Sequence, residues 1–220
     1  MAKVFIIGAA GKVGLRLTAR LTAKGHDVSA LHRKPEQAEI LTHAGAQPVV
    51  GDIQQLQRGE LATRLAGHDV VIFTAGAGGA GIELTNAIDG AGLDLAVGAA
   101  EQAGVRRFIL VSAFPDAARG KATSEGFENY MRVKRLADVR LVSSQLDWVI
   151  LRPGRLTDEA GSGLIRADLA IPYGDVSRDD VAATLTALVE SPAINYQIIE
   201  LTGGEESIDN ALHRLATRYA

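Results

Sequence analysis

The sequence contains no cysteine among its 220 residues, which excludes disulfide bonds and thiolate chemistry. It also carries little net charge, −3, and this argues against a dedicated nucleic-acid surface. No stretch approaches the roughly 18 apolar residues of a membrane span. Met1 runs almost directly into a strand pattern, which leaves no room for a removable secretory signal. We therefore expect a soluble, cytoplasmic protein that contacts neither nucleic acid nor a membrane.

Metal-ligand spacing is missing as well. No pair of histidines has the H-x-x-E-H arrangement or another short spacing typical of a zinc site. The histidines of the chain are His26, His32, His43, His68 and His213. The sequence therefore predicts no metal site.

The first fourteen residues contain the pattern on which the interpretation depends. Val4–Ile7 is an unbroken apolar run, typical of a strand buried on both faces of a sheet. Gly8, Gly11 and Gly14 follow it and lead into a helix with one apolar face. Such glycines permit a tight turn, a close approach of the backbone to a pyrophosphate, and close packing of helix on strand. This context predicts dinucleotide binding at the helix N-terminus, and an ordinary turn of small residues is the alternative.

Short apolar strands then alternate with helical segments along the chain, without repeats or low-complexity linkers. This alternation predicts an α/β fold: a Rossmann-type, doubly wound parallel sheet of about seven strands with helices on both faces. We expect one domain, residues 1–220, with a nucleotide-binding core in 1–154. Residues 155–220 are expected to complete the sheet and form a small substrate lobe. The seven predicted strands are Val4–Ile7, Asp27–Leu31, Gln47–Val50, Val70–Phe73, Phe108–Val111, Trp148–Leu151 and Tyr196–Leu201.

Several further elements are predicted with defined ends. Apolar residues at three- or four-residue steps indicate a long helix over Leu84–Ala103. Another helix is expected over Phe127–Val142 and a short strand over Leu164–Ile171. Ser177 followed by Asp180 resembles a capping box that opens a helix. A closing helix is expected over Ile208–Tyr219.

The ends of the predicted strands indicate where a ligand binds, because open α/β sheets bind ligands beyond the carboxyl ends of their strands. Asp52 follows the third strand, where it can bond an adenine amino group or form a turn. The candidate cofactor-binding residues at the glycine turn and the strand ends are Gly8, Ala10, Gly11, Lys12, Val13, Gly14, Arg33, Asp52, Ile53, Ala75, Gly76, Ala77, Pro153 and Gly154. Lys134 and Leu156 join them only through the family resemblance given below.

The end of the second strand favours NADP(H) over NAD(H). An NAD-specific site usually has Asp or Glu about 20 residues past the glycine loop, against the ribose 2′-hydroxyl. Here the second strand ends in Leu31-His32-Arg33-Lys34, and the first acid is Glu36. The planar guanidinium of Arg33 suits a 2′-phosphate. NADP(H) is therefore preferred and NAD(H) remains open, with a solvated basic turn as the alternative reading of Arg33.

Tyr130 and Lys134 form the candidate acid–base pair. They are four residues apart on a predicted helix, so their side chains share a face. A nearby ammonium favours the phenolate and is expected to lower the pKa of Tyr130 from its usual value near 10. Ser112, at the end of the fifth strand, is expected to bond the substrate oxygen beside the tyrosine. The alternative is an exposed helix face, since arginines flank the pair.

Taken together, these motifs resemble the atypical or extended short-chain dehydrogenases/reductases, in the branch of small NAD(P)-binding NmrA-like and biliverdin-reductase-B-like proteins. The resemblance is carried by four segments: Gly8–Gly14, Gly104–Ser112, Tyr130–Asp138 and Leu151–Gly154. It implies a Rossmann-type fold with a bound nicotinamide nucleotide. Ser112 would orient the substrate and Tyr130 would be the catalytic acid. Lys134 would bond the nicotinamide ribose, and Pro153, Gly154 and Leu156 would line the nicotinamide pocket.

The function that the sequence favours is an NADP(H)-dependent oxidoreductase acting on a small carbonyl or similarly reducible substrate. Ser112 and Tyr130 are separated by an irregular loop, which motivates a second hypothesis, a regulatory protein that senses NADP(H) without turnover. An epimerase or dehydratase that retains its cofactor is the third. The partner is expected to be a small molecule, and the protein is expected to be a monomer or a homodimer.

Overall fold

The computed structural model describes residues 1–218, so the predicted helix end at Tyr219 lies outside the described residues. Strands β1 to β11 are, in chain order, Lys3–Ile7, Asp27–His32, Gln47–Val50, Val70–Phe73, Arg107–Val111, Asp147–Pro153, Arg155–Thr157, Leu164–Asp168, Asp175–Ser177, Gln197–Gly203 and Glu206–Ser207. Helices α1 to α8 are Lys12–Ala23, Pro35–His43, Arg58–Leu65, Ile82–Leu84, Leu93–Ala103, Glu125–Val142, Arg178–Val189 and Ile208–Arg218, and a π-helical segment, Thr85–Gly92, joins α4 to α5.

The main sheet has nine strands in the order β11-β8-β10-β6-β5-β4-β1-β2-β3. The seven strands from β10 to β3 are parallel, whereas β8 and β11 run antiparallel to their neighbours. The order reverses between β1 and β4, which defines the switch point of a doubly wound sheet. The predicted Rossmann-type fold is confirmed. The short strand predicted over Leu164–Ile171 is present as β8, and β11 extends the sheet beyond the predicted strands.

The two faces of the sheet carry separate hydrophobic cores, because successive side chains of a strand point to opposite faces. From β1, Val4 and Ile6 pack into the core that contains α1 and α7. Phe5 and Ile7 pack into the core that contains α3 and α5. All four side chains are at most 1% exposed, and each contributes about 1.5–3 kcal/mol by its burial. β1 is therefore held from both sides, which gives the glycine turn that follows it a fixed position.

The C-terminal part completes one edge of the sheet, with two strand ends that differ from prediction. β10 begins at Gln197, because Tyr196 has a left-handed φ of +57° that a strand does not accommodate. β8 ends at Asp168, because the amide of Ile171 donates to a carboxylate oxygen of Glu200 at 2.8 Å instead of to the ladder. β7 and β9 form a separate parallel ribbon beside the sheet.

Local capping explains where two helices begin. The hydroxyl of Ser177 accepts a hydrogen bond from the Asp180 amide at 2.9 Å, so the predicted start of α7 is confirmed. The hydroxyl of Ser124 caps α6 by accepting from the amide of Phe127 at 3.2 Å. α6 therefore begins at Glu125, two residues before the predicted start.

The long helix predicted over Leu84–Ala103 is interrupted, since Thr85–Gly92 has π-helical geometry. Apolar spacing over two turns does not distinguish π-helical from α-helical hydrogen bonding, which is why the sequence pattern missed it. π-helical turns are rare in proteins, and those that occur often lie at functional sites. This segment carries Asp89, which is 2% exposed.

Candidate nucleotide and substrate site

A cavity of about 240 Å³ lies at the carboxyl ends of β1 to β4, on the switch point of the sheet. It contains eight of the predicted cofactor-binding residues: Gly8, Ala10, Gly11, Arg33, Asp52, Ile53, Ala75 and Gly76. Residues that were not among the predicted cofactor-binding set complete the lining: Ile7, Leu31, His32, Gln37, Gly51, Gln54, Thr74 and Ile88. Strand ends were the signal that located the cavity, because the last residues of β1 and β2 and the residues just after β1 to β4 supply most of its lining.

The first turn of α1 points toward this cavity and offers free hydrogen-bond donors. Gly11 is its N-cap and has no side chain to cap the helix. Within residues 1–218, the amides of Lys12, Val13 and Gly14 have no hydrogen-bond acceptor, and the first bonded amide of the turn is Leu15 on Gly11 O at 2.9 Å. The first turn also contains no acidic residue. Three unsatisfied amides at the positive end of the helix dipole fit a pyrophosphate.

Gly8 and Gly14 create the space for this turn. A Cβ on Gly14 would lie 2.2 Å from the carbonyl oxygen of Gly8, inside van der Waals contact. A Cβ on Gly8 would lie 2.4 Å from the amide nitrogen of Ala75, and the φ of Gly8 is +92°. The hydroxyl of Thr74 donates to the carbonyl of Gly8 at 3.2 Å and fixes the turn from the neighbouring strand. Only residues without a Cβ allow α1 to approach β1 this closely.

Arg33 lies at the mouth of the cavity with its side chain exposed. Gln37 fixes its backbone, since the side-chain oxygen of Gln37 accepts from the Arg33 amide at 3.2 Å and from the Lys34 amide at 3.1 Å. In the part of the chain that the structure describes, no carboxylate pairs with the guanidinium. The cation is therefore free to meet an anionic group of a ligand.

Asp52 forms the turn that was the second of the two roles expected for it from the sequence. One of its carboxylate oxygens accepts from the Gln54 amide at 3.0 Å, which is the turn-forming role. The residue also lines the cavity. The second carboxylate oxygen is not engaged in that turn.

Ser112 and Lys134 lie at the end of β5 in a buried environment. Ser112 is 5% exposed, and among the described residues its hydroxyl oxygen has no hydrogen-bond partner. Lys134 is 4% exposed, and its ammonium donates to the carbonyl of Val111 at 2.8 Å. An orphaned buried hydroxyl costs about 1–3 kcal/mol, so a ligand that bonds this hydroxyl would recover that cost.

Tyr130 differs from the expectation in its ionisation. Burial, followed by the negative charges of Asp89 and Asp138 and by Tyr173, raises the pKa of Tyr130 to about 12. The expected lowering by Lys134 is wrong for this structure, because burial of the phenol and the neighbouring carboxylates raise its pKa. The ammonium of Lys134 lies 3.5 Å from a carboxylate oxygen of Asp89. The phenol is therefore protonated at neutral pH, as an ordinary tyrosine is, and is a weaker acid than an ordinary tyrosine.

The remaining predicted residues lie outside the cavity. Lys12 reaches from α1 to Asp158 at 2.7 Å, on the exposed surface of the C-terminal part. The amide of Ala77 is bonded to Asp89 at 2.9 Å. At the end of β6 the Gly154 amide donates to the carbonyl of Leu201 at 2.8 Å, so this N–H is not free for a nicotinamide. Pro153 precedes it as the last residue of β6 and Leu156 lies in β7.

A second groove of about 490 Å³ flanks α6 on the side of Lys134 and is lined by Arg132, Arg135, Asp138 and Arg152 among others. Asp138 accepts two hydrogen bonds from Arg152, at 2.8 and 3.0 Å. From the sequence, the arginines of α6 were interpreted as an exposed helix face, and this groove was not predicted. Among residues 1–218 no cluster of three or more histidine, aspartate or glutamate side chains is placed to hold a metal ion. None of the helices in that range is long and apolar enough to cross a membrane.

Comparison with known proteins agrees with this geometry. A family model described as NAD(P)H-binding matches residues 8–192. A protein of Bacillus subtilis named uncharacterized sugar epimerase YhfK is 38% identical over 97% of this chain and 100% of its own length. The match to the family model begins at the first glycine of the turn and extends through the site described above.

Two solved structures extend the comparison to three dimensions. A putative NAD-dependent epimerase/dehydratase from Bacillus halodurans superposes with a TM-score of 0.89 at 30% identity, covering 98% of this chain and 100% of that one. ChuY, an anaerobillin reductase from Escherichia coli, has a TM-score of 0.77 at 30% identity, covering 91% and 97%. These neighbours agree with the resemblance to NAD(P)-binding short-chain dehydrogenases/reductases that the sequence motifs indicated.

Proposed function

The chain belongs to the NAD(P)H-binding family, and on that premise we propose that it is an NADP(H)-dependent oxidoreductase that reduces a small carbonyl compound. The observation that carries the proposal is the buried, unpartnered hydroxyl of Ser112 at the same sheet edge as the glycine turn. A hydroxyl in this position is the donor that a substrate oxygen requires. Bound NADPH would supply the hydride.

In this proposal one group of residues binds the nucleotide, and another orients the substrate and donates a proton to it. The free amides of the α1 turn would bind the pyrophosphate and Arg33 the 2′-phosphate. Ser112 would donate a hydrogen bond to the substrate oxygen and orient it. Tyr130, whose phenol is protonated at neutral pH, would give its proton to that oxygen. Lys134 would bond the nicotinamide ribose.

Reduction is tested directly by NADPH consumption. We expect steady oxidation of NADPH with at least one member of a panel of small aldehydes and ketones, and slower oxidation with NADH. If calorimetry shows that NADPH binds and no member of a broad panel is reduced, the oxidoreductase proposal fails and the sensing function gains support.

The preference for NADP(H) is expected to depend on Arg33. We predict that Arg33→Ala weakens NADPH binding by about 10–100-fold, because a charge-assisted hydrogen bond contributes about 1.5–3 kcal/mol. NADH, which lacks the 2′-phosphate, should bind Arg33→Ala and the unchanged protein equally. Calorimetric titration of both nucleotides into both proteins measures the difference.

Arg106 provides a matched control for that experiment. It is also an exposed arginine, but it immediately precedes β5 at the amino end of the sheet, where it pairs with Asp147 at 3.5 Å. Arg106→Ala should leave both affinities unchanged. Equal losses of NADPH and NADH binding in Arg33→Ala would show that Arg33 supports the fold of the loop and does not read the 2′-phosphate.

An epimerase or dehydratase is the second candidate, and the names of two relatives favour it. Such an enzyme regenerates its nucleotide in each turnover. It would therefore convert its substrate without net consumption of NADPH and would retain nucleotide through purification. Purified protein free of nucleotide that consumes NADPH stoichiometrically with carbonyl reduction would exclude this alternative.

A further inference from the structure

The groove of about 490 Å³ beside α6, called the α6 groove below, has no role in the proposed binding of the nucleotide. Part of its lining comes from α6, including Lys134. The rest comes from Ala113 and Pro115, which follow Ser112 after β5, and from Arg152 near the end of β6. The α6 groove therefore adjoins residues to which the proposed function assigns the substrate and the nicotinamide ribose.

Arg152 is fixed in the lining of the groove by a buried carboxylate. Its Nε and Nη2 both donate to the same oxygen of Asp138, at 3.0 and 2.8 Å, and Asp138 is 5% exposed. The third nitrogen of the guanidinium, Nη1, has no hydrogen-bond partner among residues 1–218 and is not one of the buried unpartnered atoms there. A guanidinium held on one side by a carboxylate keeps its remaining N–H groups in a fixed orientation, which suits the binding of an anionic oxygen.

Two further guanidiniums of the groove are not neutralised by a carboxylate. Arg132 and Arg135 are three residues apart on α6, so their side chains share a face. Arg132 donates to the neutral side-chain oxygen of Asn129 at 2.7 Å. In the part of the chain that the structure describes, neither guanidinium pairs with a carboxylate. Both are therefore available to an anionic ligand.

The charges of the groove sum to a positive value. The charged residues of its lining are four cations and two acids: Arg132, Lys134, Arg135, Arg152, Glu128 and Asp138. Asp89 pairs with Lys134 from outside the lining, at 3.5 Å, so four positive charges face three negative ones. A cleft of net positive charge attracts an anion.

Buried polar atoms without partners lie beside the groove as well. Among the described residues, the hydroxyl of Ser112 and the second carboxylate oxygen of Asp138 take part in no hydrogen bond. Buried polar side-chain atoms are bonded in the large majority of cases. A polar ligand that bonds either group would recover the free energy that its burial costs.

We propose that the α6 groove binds an anionic group of the substrate, a carboxylate or a phosphate, with Arg152 as the fixed cation and Arg135 as the exposed one. The substrate is accordingly a carbonyl compound that carries such a group, and its carbonyl extends from the groove toward Ser112. This inference deepens the proposed function and rests on it for the reduction, whereas the binding of the anion does not depend on turnover.

Matched pairs of aldehydes test the class of substrate. 4-Carboxybenzaldehyde is compared with its methyl ester, and glyceraldehyde 3-phosphate with glyceraldehyde, each with saturating NADPH. We expect kcat/KM to be about tenfold or more higher for the anionic member of at least one pair, the usual effect of a hydrogen bond between charged groups. The pair that shows the preference identifies the anion. Reduction of both members of each pair with equal kcat/KM would overturn the proposal.

Arg135→Ala tests the exposed cation of the groove. It should lower kcat/KM for the preferred anionic aldehyde by about three- to tenfold, and lower it less for the neutral member of the pair. Arg140→Ala is the matched control, because Arg140 also lies on α6 but pairs with Asp94 and Glu101 and is not part of the lining. The control should keep the full preference. An equal loss for both members of the pair in Arg135→Ala would contradict the role of Arg135.

Binding of the anion is measured separately from turnover. The probes are benzoate and phenyl phosphate, with benzamide as the neutral match, and ligand-observed NMR follows them in the presence of saturating NADPH. At least one anion should bind more tightly than benzamide, and Arg135→Ala but not Arg140→Ala should raise its Kd. If it does so and no aldehyde is reduced, the oxidoreductase function is rejected and the anion site is retained. Anion binding that is absent, or that does not respond to Arg135→Ala, would overturn the proposal.

Arg152→Lys tests the fixed cation, because it keeps a positive charge beside Asp138 and removes the planar guanidinium. Kd for the anionic probe and KM for the anionic aldehyde should rise by about tenfold, and KM for the neutral aldehyde should rise less. Breaking a buried pair is strongly destabilising, so this variant can fail to fold. The double variant Arg152→Met/Asp138→Asn, which removes both charges, then replaces it. An unchanged Kd for the anion in the variant that folds would show that Arg152 does not hold the anion.

Discussion

Replacing Tyr130 with phenylalanine is expected to lower kcat for carbonyl reduction by about 10²–10⁴-fold, the usual contribution of a positioned general acid. The phenylalanine ring preserves the packing against Phe127, whose ring centroid lies 6.4 Å away, and removes only the proton donor. The dissociation constant for NADPH should stay unchanged. Steady-state rates with saturating NADPH, together with calorimetry, check both statements.

The pH dependence follows from the raised pKa of Tyr130, about 12. Because the phenol stays protonated below that value, its loss of a proton should cause no decline in rate through neutral and moderately alkaline pH.

Tyr196→Phe is the matched control for Tyr130→Phe, since it removes an exposed phenol that is bonded to Asp147 far from the cavity. If the Tyr130→Phe protein were as active as the Tyr196→Phe protein, Tyr130 would not be the proton donor.

Gly14→Ala is expected to reduce NADPH affinity by about 100-fold or more. The added methyl group would lie 2.2 Å from the carbonyl oxygen of Gly8 and 2.8 Å from the Cα of Ala9. Both neighbours are backbone atoms, so α1 must move away from β1, and the three free amides lose their position. Overpacking of this kind costs about 1–3 kcal/mol of stability, or a fall in Tm of about 2–4 °C for each kcal/mol at this chain length.

Gly59→Ala separates this steric effect from the general effect of a glycine substitution in a helix. Gly59 lies in α3, and a Cβ there would come no closer than 4.0 Å, to Gln102. Alanine in such a position should raise stability by about 0.5–1 kcal/mol and leave nucleotide binding unchanged. Calorimetry and thermal unfolding of both variants measure the contrast. Unaltered NADPH affinity in Gly14→Ala would mean that the α1 turn does not hold the nucleotide.

Local patterns were sufficient to predict the sheet and the cavity in this chain. A run such as Val4–Ile7 followed by glycines permits few structures, because the strand, the turn and the helix each impose their own residue types. Parallel strands also place their carboxyl ends at one edge, so Arg33, Asp52 and Gly76 were brought together by topology. These predictions required only the order of the elements.

Features that depend on tertiary neighbours were not predictable in the same way. Asp89 lies within an apolar helical pattern, and nothing in its local sequence indicates the contact with Lys134. The pKa of Tyr130 was predicted with the wrong sign because the burial of the phenol and its neighbouring carboxylates arise only after folding. The start of β10 was missed by one residue because the left-handed backbone of Tyr196 carries no glycine as a marker.

The order of the strands has a consequence for the behaviour of the protein at high concentration. A long exposed edge strand is a template on which another chain can add. Here one outermost strand, β3, has four residues including Pro48, which has no N–H to offer, and the other, β11, has two residues. Neither of these edge strands presents a long continuous row of backbone N–H and C=O groups. The molecule is thereby protected against edge-to-edge aggregation, even though its sheet is nine strands wide.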